Sequence, residues 1–531
     1  MELLNVKDEK DDLIINSDKE SFKQNLPDKN NINNAIITKK KIRFKDIPYL
    51  IYPLMLVLLI LIVYIIILIS FSIKYKVTYN YEENIYDKPK YSSHKYSSIT
   101  FENGLKLVLV QVDSDDDAGG SITFDYGYLD NKYDPGYIKL AFLSLIPNNL
   151  TKVDPYINYF GKFNWAIEKF YSSFYFQIMS GGFQKYLEFF SELTYLNESD
   201  GRFDQIQDKD LNPTNNFEER KNHLLEYLVY GYKNNNEDIL PQGNNDIKKD
   251  MNYTAVNDIM KMILSDPSKI KIVLYSHYKM SWMEKYFFKY FPNIINKLKK
   301  SDNNQNNNNK INAYDLGEFT TNKIIYYKLN DLENSFIEIN YFLSNDNIEY
   351  NQLIKDSQYL TYIIYILNQT DEGSLYYELN NNENQDISIK SLSSNFEVVL
   401  KSKIKFSILI NFNHYSYKNI NEIILKVYNY MNNIKLYINS LDNNFNDIRI
   451  DELDRINEQN FTFTEDAHES IFYKNMAKDL FYKDEKDYLL KQMCFTKKNF
   501  IENKTRVKFY FNQLTKENSV ILLGLNDLIK K

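Results

Sequence analysis

The 531-residue chain is poor in cysteine, histidine, glycine and proline. Its single cysteine, Cys494, excludes an intramolecular disulfide and a cysteine-based zinc site. With only 14 glycines and 11 prolines, the sequence is neither collagen-like nor a Pro/Gly low-complexity polymer. The five histidines leave few candidates for metal chemistry.

The charge balance argues against a generic nucleic-acid binder, because the formal net charge is −7 and such proteins carry a basic domain. Charged residues make up 25% of the chain and hydrophobic residues 44%, which is ordinary for a globular protein. The length exceeds what one hydrophobic core usually supports, so more than one domain is expected.

An uncharged, almost wholly apolar run extends from Ile47 to Ile73, and five basic residues crowd residues 39–45 before it. About 20 apolar residues span a bilayer, and the positive-inside rule places the basic flank in the cytosol. The run therefore predicts a transmembrane signal-anchor. It implies a single-pass membrane protein of the secretory pathway, with most of the chain lumenal or extracellular.

Hydrophobic patterning predicts an α+β protein with two sandwich domains behind the anchor. Two similar strands, SKIKIVLYS at 268–276 and NSVILLGL at 518–525, indicate a weak internal repeat. The predicted segments are a disordered cytosolic tail at 1–46, the transmembrane segment at 47–73, a stalk at 74–92, a first domain at 93–300, an Asn-rich linker at 301–312 and a second domain at 313–531.

Residue periodicity places strands and helices in both halves. Strands are predicted at Leu105–Val112, Ser121–Tyr126, Phe174–Met179, Ile324–Leu329, Phe336–Phe342, Phe396–Leu400 and Lys405–Phe412. Helices are predicted at Lys139–Ile146, Phe183–Leu196, Arg220–Tyr230, Tyr350–Leu367 and Asn421–Leu436.

From about residue 95 to its end, the chain resembles the insulinase/pitrilysin family of zinc metallopeptidases. The resemblance lies in the order of short motifs: Asn103–Leu105, Phe124–Gly127, Gly136, Phe163–Ala166, residues 172–194, residues 210–222 and Glu372–Leu375. It implies two homologous insulinase-like α+β sandwich domains, equivalent to the first half of the four-domain family members. It also implies a zinc cofactor, which the family holds with the motif G-x-x-H-x-x-E-H.

The zinc ligands of that motif are missing from this sequence. Counting from Gly136, the two histidine positions fall on Lys139 and Leu143, and the general-base position falls on Phe142. A charged lysine has no lone pair, and the other two side chains have no donor atom. The third-ligand position falls on Phe217, or on Glu218 after a one-residue shift. The sequence therefore predicts no catalytic residue, no metal site and no bound zinc.

Other sites for metal or catalysis have weaker support. His223 shares a predicted helix with Glu219 and Glu226, but a charged helical face is normally solvated. Ser144 has no His or Asp near it in sequence. Cys494 is more readily understood as a buried structural thiol.

Peptide binding needs no catalytic residue, because family members hold substrate as an added β-strand. The matching residues here are Asn164, Trp165 and Ala166, although the pattern at Phe163–Ala166 favours an ordinary edge strand over a peptide-binding one. Lys139 and Lys169 are expected to lie in solvent.

These observations lead to two hypotheses about function. The first is a membrane-anchored, catalytically inactive insulinase-like protein that acts as a peptide- or protein-binding scaffold half. The alternative is a non-catalytic subunit of an active zinc metalloendopeptidase, with a partner chain supplying the second insulinase-like half.

Overall fold

The computed structural model describes most of the chain beyond residue 87 and two short segments before it. The described residues are 55–64, 79–83, 88–113, 117–130, 136–146, 161–195, 221–222, 225, 229, 252–297, 321–329, 335–345, 348–381, 388–400, 402–412, 419–441, 447–463, 470–482 and 495–526. Met1–Lys76 and Val77–Lys531 form two compact units.

The first unit corrects the membrane prediction. Its described helix, α1, covers residues 55–64. Across the described residues, no helix is both long and apolar enough to cross a bilayer. This finding contradicts the predicted transmembrane signal-anchor and single-pass location. Residues 47–54 and 65–73 of the predicted segment lie outside the described residues.

The second unit contains two sheets, of which the first has seven strands. Their bounds are β1 Tyr79–Glu83, β2 Lys95–Phe101, β3 Lys106–Gln111, β4 Asp117–Phe124, β5 Gly161–Ile167, β6 Ser172–Met179 and β7 Ile270–Ser276. Their order across the sheet is β1-β2-β3-β7-β4-β6-β5. The last strand, β7, lies inside the sheet, parallel to β3 and antiparallel to β4. Apart from Lys271, the residues Ile270–Tyr275 are apolar, which suits a strand that is covered on both faces.

The second sheet repeats this arrangement with five strands. They are β8 Lys323–Leu329, β9 Phe336–Ser344, β10 Ile389–Leu400, β11 Lys403–Phe412 and β12 Ser519–Asn526. Read from β8, the order is β8-β12-β9-β11-β10, which matches β3-β7-β4-β6-β5 of the first sheet. The final strand β12 is again internal, parallel to β8 and antiparallel to β9. The equivalent outer strands of the two sheets are β5 and β10.

Helices pack against both sheets. The α-helices described after α1 are α2 Tyr137–Leu145, α3 Phe183–Ser191, α4 Tyr253–Ser265, α5 Met280–Tyr290, α6 Pro292–Ile295, α7 Tyr350–Ser357, α8 Leu360–Leu367, α9 Leu375–Asn380, α10 Ile420–Ser440, α11 Ile448–Thr462, α12 Ser470–Tyr482, α13 Lys497–Glu502 and α14 Lys504–Asn512. The first sheet and α2–α6 enclose one hydrophobic core, and the second sheet encloses another. The single helix predicted at Tyr350–Leu367 is divided into α7 and α8. Its Asp356 is buried at the break, where it accepts hydrogen bonds from Arg506 and Tyr510.

Helix α12 belongs to the second half of the chain but packs on β4, β6 and β7 of the first sheet. Tyr473 of α12 stacks on Tyr275 of β7 with ring centroids 3.9 Å apart. Gly119 makes room for this contact, since a Cβ there would lie 2.6 Å from the Tyr275 hydroxyl. The two halves are thus joined through a shared hydrophobic cluster.

The Asn103–Leu105 motif has a structural role. The Asn103 amide donates hydrogen bonds to the carbonyl oxygens of Ile294 (2.9 Å) and Lys297 (3.0 Å), and its own side-chain oxygen accepts from the Leu105 amide (3.1 Å). Gly104 has φ 85°, a conformation that glycine adopts at little cost. The motif therefore fixes the β2–β3 turn to the end of the helical layer.

Because the ammonium of Lys271 on β7 is largely buried, we expect the free energy of unfolding to vary with pH in the alkaline range. Burial, with Lys106 nearby, lowers the pKa of Lys271 from 10.5 to about 8. Between these values the unfolded chain binds more protons than the folded chain, so this group makes stability rise with pH. We expect the free energy of unfolding of the wild type, relative to Lys271→Met, to rise by about 1–2 kcal/mol between pH 8 and pH 9.5.

Urea denaturation of both proteins across this range tests the expectation. Lys498→Met, which removes an exposed ammonium, is the control. Equal pH slopes for the wild type and Lys271→Met would contradict the assignment.

Candidate functional site

Helix α2 carries the positions at which the sequence comparison expected zinc ligands. It begins after Gly136, which has φ 86°, and all nine of its residues are buried. Lys139 is 7% exposed, Leu143 is 6% exposed and Phe142 is fully buried. The helix face that would have to reach solvent and a bound water is therefore part of the protein core.

Phe142 occupies the predicted general-base position and packs among aromatic rings. Its ring meets Phe124 of β4 at 5.3 Å between centroids in an edge-to-face arrangement. Phe174 of β6 lies at 6.1 Å. Edge-to-face aromatic contacts stabilise a core beyond the apolar area that they bury. The position is consequently part of an aromatic cluster linking the helix to two strands.

Lys139 is buried, and not in solvent as the sequence analysis predicted. Its ammonium lies 5.9 Å from the ring centroid of Trp165 on β5. An aromatic face attracts a cation at this distance. The first histidine position thus holds a cation packed against the predicted peptide-binding strand.

The described residues do not fit a zinc ion. Zinc sites need three or four His, Cys or carboxylate ligands, and no group of three such residues occurs in the described part of the chain. On α2, the positively charged Lys139 would also repel the metal. The other candidates Phe217, Glu218, His223 and Cys494 lie outside the described residues.

Strand β5 lies at the edge of the first sheet and pairs with β6 alone among the described strands. In this ladder Asn164 faces Tyr175, Trp165 faces Phe174 and Ala166 faces Ser173. Asn164 is exposed, while Trp165 and Ala166 are half-buried. An edge strand leaves backbone amide and carbonyl groups unpaired along one side, which is the chemistry that strand addition requires.

The turn after β5 is tied to the second sheet by an ion pair that the sequence analysis missed. The Lys169 ammonium lies 2.6 Å from the Glu397 carboxylate on β10, and Lys405 of β11 lies 3.4 Å from the same side chain. Burial raises the pKa of Glu397, but the two lysines outweigh it and leave that pKa below its usual value. Lys169 is therefore held between the halves, and the prediction that it lies in solvent is wrong.

Comparison with known proteins identifies the fold. No protein-family model and no curated protein matches the sequence. Among solved structures, pitrilysin superposes with a TM-score of 0.64 over 85% of this chain and 46% of its own, at 14% identity. The chain has the fold of pitrilysin. It spans about half of pitrilysin's length.

Two shorter structures match the pitrilysin-like fold over most of their length. The first half of the periplasmic protease PqqL from Escherichia coli has a TM-score of 0.56 and 11% identity, covering 84% of this chain and 94% of its own. A peptidase M16 inactive domain from Pseudomonas fluorescens has a TM-score of 0.55 and 12% identity, covering 81% and 97%. The pitrilysin-like fold therefore also occurs in a chain described as inactive.

The packing of Phe142 leads to a prediction about the stability of the protein. Phe142→Ala removes a fully buried ring, and we expect it to lower the free energy of unfolding by about 3–5 kcal/mol. Phe142→Met keeps most of the volume and should cost less than half as much. Urea denaturation of the full chain measures both values.

Phe509→Ala is a matched control, because Phe509 of α14 is 44% exposed. It should cost about 1 kcal/mol or less. If Phe142→Ala costs no more than this control, the helix face is not part of the core.

Proposed function

We propose that this chain is a catalytically inactive homologue of the pitrilysin-like peptidases that binds an extended peptide or protein segment along β5. The observation that carries the proposal is the burial of Phe142 in an aromatic cluster at the general-base position. With Lys139 and Leu143 at the two histidine positions, α2 offers neither metal ligands nor a proton acceptor.

The peptide-binding part of the proposal is supported by the geometry of β5. No other described strand pairs with its outer side, because the strand order of the sheet ends at β5. Trp165 and Ala166 are half-buried and Asn164 is exposed, so the strand presents both apolar and polar side chains. We also propose that residues 93–300 and residues 313–531 form two homologous insulinase-like domains.

Inactivity is tested with the purified full-length chain. After dialysis against zinc, plasma mass spectrometry should find far less than one zinc ion per chain. A quenched fluorescent peptide should be cleaved no faster than in buffer. Stoichiometric zinc together with chelator-sensitive cleavage would refute this part of the proposal.

Strand addition is tested with a nine-residue alternating Thr/Val peptide and two N-methylated isomers, methylated at alternate amides in opposite registers. The chain has two tryptophans, so Trp282→Phe leaves Trp165 on β5 as the reporter. We expect the unmodified peptide and one isomer to change Trp165 emission. The isomer that blocks the amides facing β5 should bind at least about tenfold more weakly, a loss of about 1.4 kcal/mol.

Trp165→Phe, which leaves Trp282 as the reporter, is the matched control and should show little change in emission. Equal binding of the two methylated isomers would show that the peptide does not bind through its backbone. Failure of all three peptides to bind would remove β5 as the site for this ligand class.

The alternative function is that of a non-catalytic subunit. It is favoured by one observation, that a peptidase M16 inactive domain from Pseudomonas fluorescens has the same fold. The FusC protease, which has the same fold, has been solved in complex with Arabidopsis ferredoxin. A stoichiometric partner carrying an intact H-x-x-E-H motif, with peptide cleavage only in the complex, would support the subunit role over the stand-alone one.

A further inference from the structure

A cavity of about 560 Å³ lies where the two halves meet, beside the end of β5. Its walls come from the turn at residues 168–171, from α7, from β10 and from the last turns of α12. The volume falls within the range of small-molecule sites. None of the predicted site residues that the structure describes lines it.

Aromatic rings form much of the cavity wall. Phe170 and Tyr350 lie 4.9 Å apart between centroids, and Tyr350 meets Tyr482 edge-on at 5.4 Å. A fourth ring, Tyr171, already has the Lys478 ammonium 5.6 Å from its centroid. Aromatic faces carry partial negative charge and attract cations. The wall is thus built from groups that suit a positively charged guest.

One carboxylate of the wall has no ion-pair partner among the described residues. Three carboxylates line the cavity with the two ammonium groups of Lys169 and Lys478. Glu397 is held by Lys169 at 2.6 Å and by Lys405 at 3.4 Å, and Lys478 lies 3.8 Å from Asp479. The third carboxylate, the exposed Glu168, forms no ion pair within the described part of the chain, although its charge raises the pKa of Lys474 against the effect of burial. Both lining ammonium groups are therefore engaged, and Glu168 is the carboxylate that can receive a further cation.

The surroundings of the cavity are also acidic. Burial raises the pKa of Tyr350, and the neighbouring carboxylates Asp125 and Asp130 raise it further. The same two carboxylates act on Tyr482, where burial is again the main cause of the raised pKa. These two carboxylates attract a cation and repel an anion, in opposition to the lysines of the wall.

The Tyr482 hydroxyl adds a specific acceptor. Tyr482 is 5% exposed and lines the cavity. The Tyr350 hydroxyl is its hydrogen-bonding neighbour, but the contact does not reach good hydrogen-bond geometry. The hydrogen-bonding capacity of the Tyr482 hydroxyl is therefore only partly used. An ammonium or guanidinium group, which can only donate, would satisfy it.

We propose that this cavity binds an organic cation, an alkyl chain ending in an ammonium or guanidinium group. The alkyl part packs against Phe170 and Tyr350, and the charged end lies near Glu168 and the Tyr482 hydroxyl. This proposal is independent of strand addition at β5, because its probes are small amines without a peptide backbone.

Ligand-observed NMR titration of the full-length chain tests the proposal with three probes of matched shape: n-butylammonium, n-butanol and butyrate. We expect n-butylammonium to bind in the millimolar range, which corresponds to about −1 kcal/mol per heavy atom. Butanol should bind at least about fivefold more weakly and butyrate not at all. Butylammonium binding no tighter than that of butanol would overturn the proposal, as would preferred binding of butyrate.

Variants locate the site. Glu168→Gln removes only the charge of that carboxylate and should weaken butylammonium binding about threefold to tenfold. Tyr482→Phe removes only the hydroxyl and should weaken butylammonium binding while changing the thermal midpoint little, because the hydroxyl has only its poorly aligned contact with Tyr350 to lose. Glu458→Gln, at an exposed carboxylate of α11 outside the cavity, is the control. Wild-type affinity in Glu168→Gln and Tyr482→Phe would exclude the cavity as the binding site.

A last comparison distinguishes two sources of the cation. Nα-acetyl-lysine methylamide carries the same ammonium on a peptide unit. Tighter binding of this probe than of n-butylammonium would assign the cavity to a basic side chain of a bound peptide. Weaker binding would assign it to a small free amine.

Discussion

The position of β7 in the middle of the first sheet is the constraint on which the rest of this structure depends. It is the last strand of its half, and it joins β3 on one side to β4 on the other. Ile272, Val273 and Leu274 are fully buried there. Such a sheet closes only when its final segment is in place, which makes its contacts non-local. Strand β12 has the same position in the second sheet.

Internal closure of both sheets leaves β5 and β10 as equivalent outer strands. The turn that follows β5 and the end of β10 approach each other at the Lys169–Glu397 ion pair. The aromatic cavity lies beside this contact, and α12 completes it after crossing onto the first sheet. Each half alone would supply only part of the wall. The cavity is therefore a consequence of how the two repeated sheets are joined, and helix α2 has no part in it.

The packing of α2 follows a simple physical logic. A zinc helix must leave two imidazoles and a carboxylate near water, which costs packing on one face. Here that face holds Phe142 within a ring cluster, and the remaining cation, Lys139, is accommodated over Trp165. The helix contributes to stability in the same place where the sequence comparison expected chemistry. The two sheets hold one repeated strand order with α2 packed into the first core, so this fold does not need metal ligands on α2.

The sequence identified the elements with regular patterns and missed what depends on distant residues. The strands at 174–179 and 405–412 and the resemblance of 268–276 to 518–525 correspond to β6, β11, β7 and β12. The uncharged composition at 47–73 gave a wrong prediction of a membrane span, since no helix of the described residues is long and apolar enough to cross a bilayer. The sequence also could not predict the burial of Lys139 and Lys169, because their burial depends on Trp165 and Glu397 from other strands.

The cavity shows this limit most clearly. Tyr171, Tyr350 and Tyr482 are far apart in the sequence, and no local period relates them. In a chain with 46 tyrosines, none of the three is distinguished by its neighbours. They meet because α12, anchored by the Tyr275–Tyr473 stack, brings its end to the turn after β5. A site formed at the junction of two repeated halves can therefore differ from those of other proteins with this fold while the strand order of each half stays the same.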